Sequence, residues 1–256
     1  MEVRLNGRVY TCLEQLREQA DEELFLFLEE WFDDRSYVLG HTSGSTGAPK
    51  EIQLSKADMR ASARMTNAFF AIDRESVLLL CLSVSYIAGK MMVVRALEAG
   101  AELLTVKVSS HPLRITGQEE YVDRRIDLAA MVPMQVEESM KSESEKQRFG
   151  YIRHLIIGGA PVSVALEERL KKIPTQCYAT YGMTETVSHI ALKKLNSDPA
   201  YFALGEVGFE QDERGCLIIN APHLQARRFV TNDMVRLHGN KRFCLLNTSP
   251  SPRDRT

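Results

Sequence analysis

Val77-Leu78-Leu79-Leu80-Cys81-Leu82 is an unbroken apolar run with no polar alternation. Such a run suits a strand covered on both faces, the condition of a parallel sheet shielded by helices on either side. Outward from it, helical periodicity occupies about Gly89 to Glu98, and a second strand pattern follows from Ala101 to Val106, giving a β-α-β unit. The alternation continues through strand patterns at Leu128 to Val132, Leu155 to Ile157 and Gln176 to Ala179, with helical stretches near Met134 to Met140 and Val164 to Lys172. Upstream, Leu13, Leu16, Ala20, Leu24, Phe27, Leu28 and Trp31 recur at the three-and-four spacing of one amphipathic helix. Tyr37 to Leu39 and Glu51 to Leu54 read as short strands. Ser55-Lys56-Ala57-Asp58 is a capping pattern that opens a helix with Met59, Ala63, Thr66 and Phe70 on one face.

After Tyr181 the character changes. Short runs at His189 to Leu192, Cys216 to Ile219 and Phe229 to Thr231, punctuated by Gly and Pro, read as a smaller β-rich region packed on the α/β part. The expected fold is therefore α/β, with parallel sheets flanked by helices: residues 1–180 form the core, 181–246 the β-rich region, and 247–256, with two Ser-Pro steps, a disordered tail. The charged stretch Lys141 to Arg148 reads as a solvated helix end or surface loop.

Composition excludes several classes of partner. Lys plus Arg number 32 against 34 Asp plus Glu, a net charge of -2, so neither nucleic acid nor an anionic membrane is an expected partner. The longest apolar run falls far short of the roughly 20 residues of a membrane span. Met1 is followed by Glu2 and Arg4 and not by a secretory leader, and the five cysteines show neither a CxxC pair nor metal-ligand spacing. The expectation is buried thiols in a reducing cytoplasm. Oligomeric state leaves no mark in the sequence.

Two segments carry chemistry. Thr42-Ser43-Gly44-Ser45-Thr46-Gly47-Ala48-Pro49-Lys50 breaks all periodicity and combines freed backbone with hydroxyl and ammonium donors, a composition that grips anionic oxygens. It is not a Walker A loop, because Lys50 follows Pro49 and precedes Glu51. On composition alone it is equally a flexible Ser/Gly connection. Far downstream, Tyr181-Gly182-Met183-Thr184-Glu185-Thr186 offers an aromatic ring, a hydroxyl and a carboxylate in succession. Taken singly these are a core aromatic, a turn residue and a surface charge.

Together the two segments resemble the acyl-adenylate-forming superfamily, whose phosphate loop reads Thr-Ser-Gly-Ser/Thr-Thr-Gly-x-Pro-Lys and whose later motif reads Tyr-Gly-x-Thr-Glu. Gly158-Gly159-Ala160-Pro161 resembles the family segment that lies against adenine, and Thr231-Asn232-Asp233 stands where the family has Thr-Gly-Asp, whose aspartate holds the ribose hydroxyls. Asn in place of Gly is a departure, although Asn tolerates a left-handed backbone. The resemblance implies an ATP-dependent ligase that uses Mg²⁺ and coenzyme A and acts on a small carboxylic acid. It assigns nucleotide binding to Thr42 through Gly47, Lys50, Gly158 to Pro161, Tyr181 to Thr184 and Asp233. Catalytic roles fall to Lys50, Thr184 and Glu185, with Glu185 also holding the metal.

Ser85-Tyr86-Ile87-Ala88-Gly89 aligns with the family segment that lines the acyl pocket, where Tyr86 replaces a common His. Tyr86, Ala88, Gly89, Lys90 and His189 are the candidate substrate residues. Lys90 is a candidate partner for a second carboxylate, its alternative reading an exposed lysine, and His189 is a candidate lining of the same pocket, its alternative reading a hydrogen-bonded core histidine. The short leader before the first motif, with Tyr86 to Lys90 and Tyr181 to His189, looks most like short bacterial members that join o-succinylbenzoate to coenzyme A. Resemblance runs to about Leu246. The family's hinge and small C-terminal domain are not matched, and a truncated, impaired adenylate-binding fragment is the alternative reading.

Overall fold

A computed structural model describes residues 1–41, 51–114 and 124–246. The hydroxyl-rich loop at 42–50, with its expected roles for Thr42 through Lys50, and the tail at 247–256 lie outside the described residues.

The chain opens with a hairpin of β1 (Val3–Leu5) and β2 (Arg8–Tyr10), turned by Asn6 and Gly7, both at positive φ. The single helix expected over 13–31 is two: α1 (Leu13–Leu16) and α2 (Glu22–Phe32). The break has a local cause. The Asp21 carboxylate accepts from the Leu24 N–H at 2.9 Å and starts a new helix, while the apolar spacing runs on across the gap. A separate two-stranded ribbon, β3 (Tyr37–His41) and β4 (Glu51–Ser55), leads into α3 (Lys56–Phe70), and the Ser55 hydroxyl caps the Asp58 N–H as its motif predicts.

The α/β alternation then follows: β5 (Val77–Leu80), α4 (Ile87–Ala99), β6 (Glu102–Thr105), β7 (Ile126–Met131), α5 (Pro133–Ser139), α6 (Glu143–Arg148), β8 (Ile152–Ile157), α7 (Val164–Leu170) and β9 (Gln176–Gly182). In the sheet these strands lie in the order β9-β8-β7-β5-β6-β1, all parallel, and β2 pairs antiparallel with β1 at one edge. The strands alternate between two cores. Leu78, Leu128, Ile156 and Tyr178 face α2, α3 and α4, while Leu79, Ala129, Leu155 and Cys177 face α5 to α7. Both faces are covered, so the Val77 run has no polar alternation.

Beyond β9 the pairing becomes antiparallel through β10 (His189–Lys194), β11 (Tyr201–Ala203), β15 (Arg242–Leu245), β14 (Arg228–Leu237), β13 (Cys216–Asn220) and β12 (Gly208–Gln211). The expected boundary at 180/181 falls inside β9. The stretch Lys141 to Arg148 is more than a solvated end: Glu145 is buried at 1% exposure, where its carboxylate accepts from His111 Nδ1 at 3.0 Å and pairs with Arg114.

Candidate functional site at the carboxyl ends of the parallel strands

In open α/β sheets ligands bind outside the carboxyl ends of the strands. At those ends two glycines sit in close approach, one against backbone and one against a side chain. A Cβ on Gly89 would lie 2.2 Å from the Ser83 carbonyl, so glycine alone lets the first turn of α4 fold back over the exit of β5. A Cβ on Gly158 would lie 2.4 Å from Thr180 Oγ1, which keeps the segment after β8 flush against β9. Gly159 follows at φ +85°, and Ala160 and Pro161 are exposed before Ser163 caps α7.

β9 delivers Tyr181 beside an aromatic group. Its ring meets Phe243 edge-on at 5.0 Å and Tyr201 at 5.8 Å, and its hydroxyl donates to Asp233 Oδ2 at 2.6 Å. Burial, reinforced by the Asp233 carboxylate, pushes the phenol pKa up, so the hydroxyl is a fixed donor. Asp233 itself is exposed on β14. Its N–H donates to Thr231 Oγ1 at 3.1 Å, and that hydroxyl donates in turn to the Leu217 carbonyl at 2.9 Å.

Past Gly182 the chain makes a 3-10 turn over Thr184–Thr186. The Thr186 hydroxyl is buried in its centre, accepting from the Met183 N–H at 3.0 Å and lying 2.9 Å from the Ser188 carbonyl. Val187 sits at φ +64°, a conformation that β-branched residues rarely adopt. The turn thus presents Thr184 half-buried and Glu185 exposed, with no bond to the Glu185 carboxylate among the described residues. No cluster of three or more metal-ligating side chains occurs among the described residues. An exposed carboxylate of this kind suits Mg²⁺, which takes one or two protein carboxylates and otherwise keeps water or phosphate oxygens.

The candidate acid-pocket residues separate. Tyr86, 60% exposed, and Ala88, also exposed, stand at the start of α4. Lys90 turns inward: its ammonium lies 4.5 Å from the Phe27 ring centroid, and burial lowers its pKa against the pull of Glu30 and Glu23. His189 is buried, with Nε2 3.1 Å from Thr66 Oγ1 and Nδ1 3.5 Å from Arg95 Nη2. Burial, then Arg95, holds its pKa well below the usual histidine range.

Sequence reasoning missed Arg95. It is 2% exposed, donates from Nη2 to Ser188 Oγ at 2.9 Å, and has no carboxylate partner and an unbonded Nε among the described residues. Burial pushes its pKa down to about 9. The available signal was an arginine interrupting the apolar run Met91-Met92-Val93-Val94 and Ala96.

The chain is thus an α/β protein whose parallel sheet gathers close-packed glycines at its strand exits, with the carboxylates of Asp233 and Glu185 on the segments that follow. The model of the family described as AMP-binding enzyme matches residues 9–224, and the chain belongs to that family. Among solved structures it is similar to an AMP-forming acyl-CoA synthetase/AMP-acid ligase II-like protein from Dyadobacter fermentans, with 34% identity, a TM-score of 0.82, and coverage of 91% of this chain and 67% of that one. It shares the fold of the o-succinylbenzoate coenzyme A synthetase from Bacillus subtilis in complex with ATP and magnesium ion, at 18% identity and a TM-score of 0.65, covering 82% of this chain and 49% of that one. Among curated proteins it is 25% identical over 198 residues to the 2-succinylbenzoate–CoA ligase of Oceanobacillus iheyensis. That match spans 73% of this chain and 40% of the ligase's length.

Proposed function

We propose that this chain binds ATP and a carboxylic acid and forms an acyl adenylate, which a thiol, coenzyme A, then converts to a thioester. The observation that carries this reading is the Tyr181–Asp233 contact, an oriented carboxylate at the strand ends beside the Gly158 to Pro161 segment. Asp233 would accept from the ribose, Tyr181 and Gly158 to Pro161 would flank the adenine, and Thr184 would donate to the α-phosphate. The carboxylate oxygen of the acid attacks the α-phosphorus and pyrophosphate leaves, with Thr42 to Gly47 and Lys50 assigned to the leaving phosphates. Glu185 would hold Mg²⁺, which offsets phosphate charge.

Arg95 supports a diacid substrate. An isolated buried cation is costly, and an anionic ligand group offsets that cost. With Ser188 and His189 it would receive a second carboxylate beneath the turn that carries Thr184, while Tyr86, Ala88 and Gly89 line the entrance. Lys90 packs its ammonium against Phe27 of α2, so in this reading Arg95, and not Lys90, meets the second carboxylate. Among diacids the likeness to the 2-succinylbenzoate–CoA ligases supports o-succinylbenzoate as the acid.

The test is calorimetric titration of a panel of acyl-sulfamoyl adenosines, the o-succinylbenzoyl compound included, against the wild type, Asp233→Ala and Arg95→Met. The wild type should select the diacid member and Asp233→Ala should lose every member. Arg95→Met should bind monoacid members as before, lose the diacid preference, and melt at the wild-type temperature or above it, because a buried cation has been replaced by an apolar side chain. If no member of the panel binds the wild type, the ligase reading is wrong.

A further inference from the structure

The Tyr181 hydroxyl is committed in a way that ring stacking does not require. It donates to Asp233 Oδ2 at 2.6 Å across 52 residues of chain, from a ring fixed by Phe243 and Tyr201. Asp233 is exposed on its strand, and an exposed carboxylate samples several rotamers unless something holds it. Two contacts hold this one: the Thr231 hydroxyl fixes its backbone N–H, and the Tyr181 hydroxyl fixes one carboxylate oxygen. The remaining oxygen, Oδ1, carries no bond among the described residues.

We propose that the Tyr181 hydroxyl, separately from its ring, is a positioning group that orients Asp233 toward the sugar of a bound nucleotide, so that recognition of the ribose hydroxyls depends on Tyr181 as much as on Asp233. This rests on the nucleotide-site reading above. It predicts a coupling that stacking alone does not produce. Loss of the ribose hydroxyls should hurt binding strongly while the phenol is present and weakly once it is gone.

The measurement is the affinity of AMP and of 2′,3′-dideoxy-AMP for the wild type, Tyr181→Phe and Thr231→Val. Two hydrogen bonds to an oriented carboxylate should make the dideoxy compound about a hundredfold weaker in the wild type. In Tyr181→Phe, which keeps the ring, that ratio should shrink to about tenfold or less, most of the loss falling on AMP. Thr231→Val keeps the side-chain shape but removes the hydroxyl that holds the Asp233 N–H and acts on the Tyr181 phenol, so it should shrink the ratio too, and a wild-type melting temperature in Tyr181→Phe guards against a folding defect.

An unchanged ratio in Tyr181→Phe, with AMP binding to the wild type, would overturn the positioning role and leave the nucleotide site standing, whatever Thr231→Val does. Failure of the wild type to bind AMP or ATP at all would overturn the nucleotide reading itself, and the inference with it.

Discussion

Two buried histidines, His154 and His189, make stability fall as the pH drops below neutrality. His154, on β8, is 7% exposed with its ring 4.9 Å from Phe70 and its Nδ1 without a partner, and burial, then the charge of Arg153, pushes its pKa down to about 4. His189 is held well below the usual histidine range by burial, then Arg95. An unfolded histidine titrates near 6.5. As pH falls below that value the unfolded chain takes up protons the native chain refuses, so stability present at neutral pH is lost progressively down to about pH 4 for His154. Each histidine contributes a slope of up to about 1.4 kcal/mol per pH unit in that window. Melting temperatures between pH 7.5 and 4.5 should fall, and His154→Phe should flatten the fall. A variant with an unchanged slope would show that His154 is charged in the native state. The environment of His189 was legible as that of a hydrogen-bonded core histidine in an apolar strand, whereas that of His154 was not, since it follows Arg153 in a short strand and its burial comes from Phe70, on α3, and Tyr178, on β9.

At the scale of elements, what the sequence conveyed was what local pattern encodes. The Val77 run announced a strand covered twice, and Ser55 announced the start of α3. The β1-β2 hairpin was not read, because β1 is three residues long and is held by pairing with β6, nearly a hundred residues away. Arg95 was overlooked for the same reason, its meaning residing in Ser188 and His189 on another element. The site motif Tyr181-Gly182 was recognised, but the need for its glycine is tertiary. A Cβ there would lie 2.5 Å from the Ser188 carbonyl and 2.6 Å from the His189 Cα, both backbone atoms of the return into β10. Gly182→Ala should therefore cost about 1–3 kcal/mol in urea unfolding by forcing the β9-β10 pair apart. Gly208→Ala, where the added carbon meets nothing nearer than the Asn240 carbonyl at 3.8 Å, is the control and should be nearly neutral. Equal effects in the two would mean that the close approach at Gly182 does not exist.

For the whole molecule, the sequence suggested an α/β core ending at 180 and a β-rich region beginning at 181, and the arrangement of the sheet bears on whether these behave as separate bodies. β9 runs from Gln176 to Gly182, pairing parallel with β8 on one side and antiparallel with β10 on the other. A cut at 180/181 would sever a central strand. The larger apolar core also crosses the division, taking in Leu28, Met59, Met91 and Leu128 together with Leu192, Leu217, Val235 and Phe243. Separation would expose that shared surface and leave β9 as an unpaired edge, an arrangement prone to aggregation. Cooperative unfolding follows when the contacts that stabilise one part are the surface of the other. Thermal denaturation should then give a single transition, coincident by far-ultraviolet and near-ultraviolet circular dichroism, and limited proteolysis should not release a stable 1–180 fragment. Tyr181→Phe should leave that transition single, since the aromatic packing of Tyr181 with Phe243 and Tyr201 survives the loss of the hydroxyl. Two resolved transitions, or a protected fragment ending near residue 180, would mean that the β-rich region is an autonomous unit, one that keeps Tyr181 and Asp233 together but holds neither Gly158 to Pro161 nor β8.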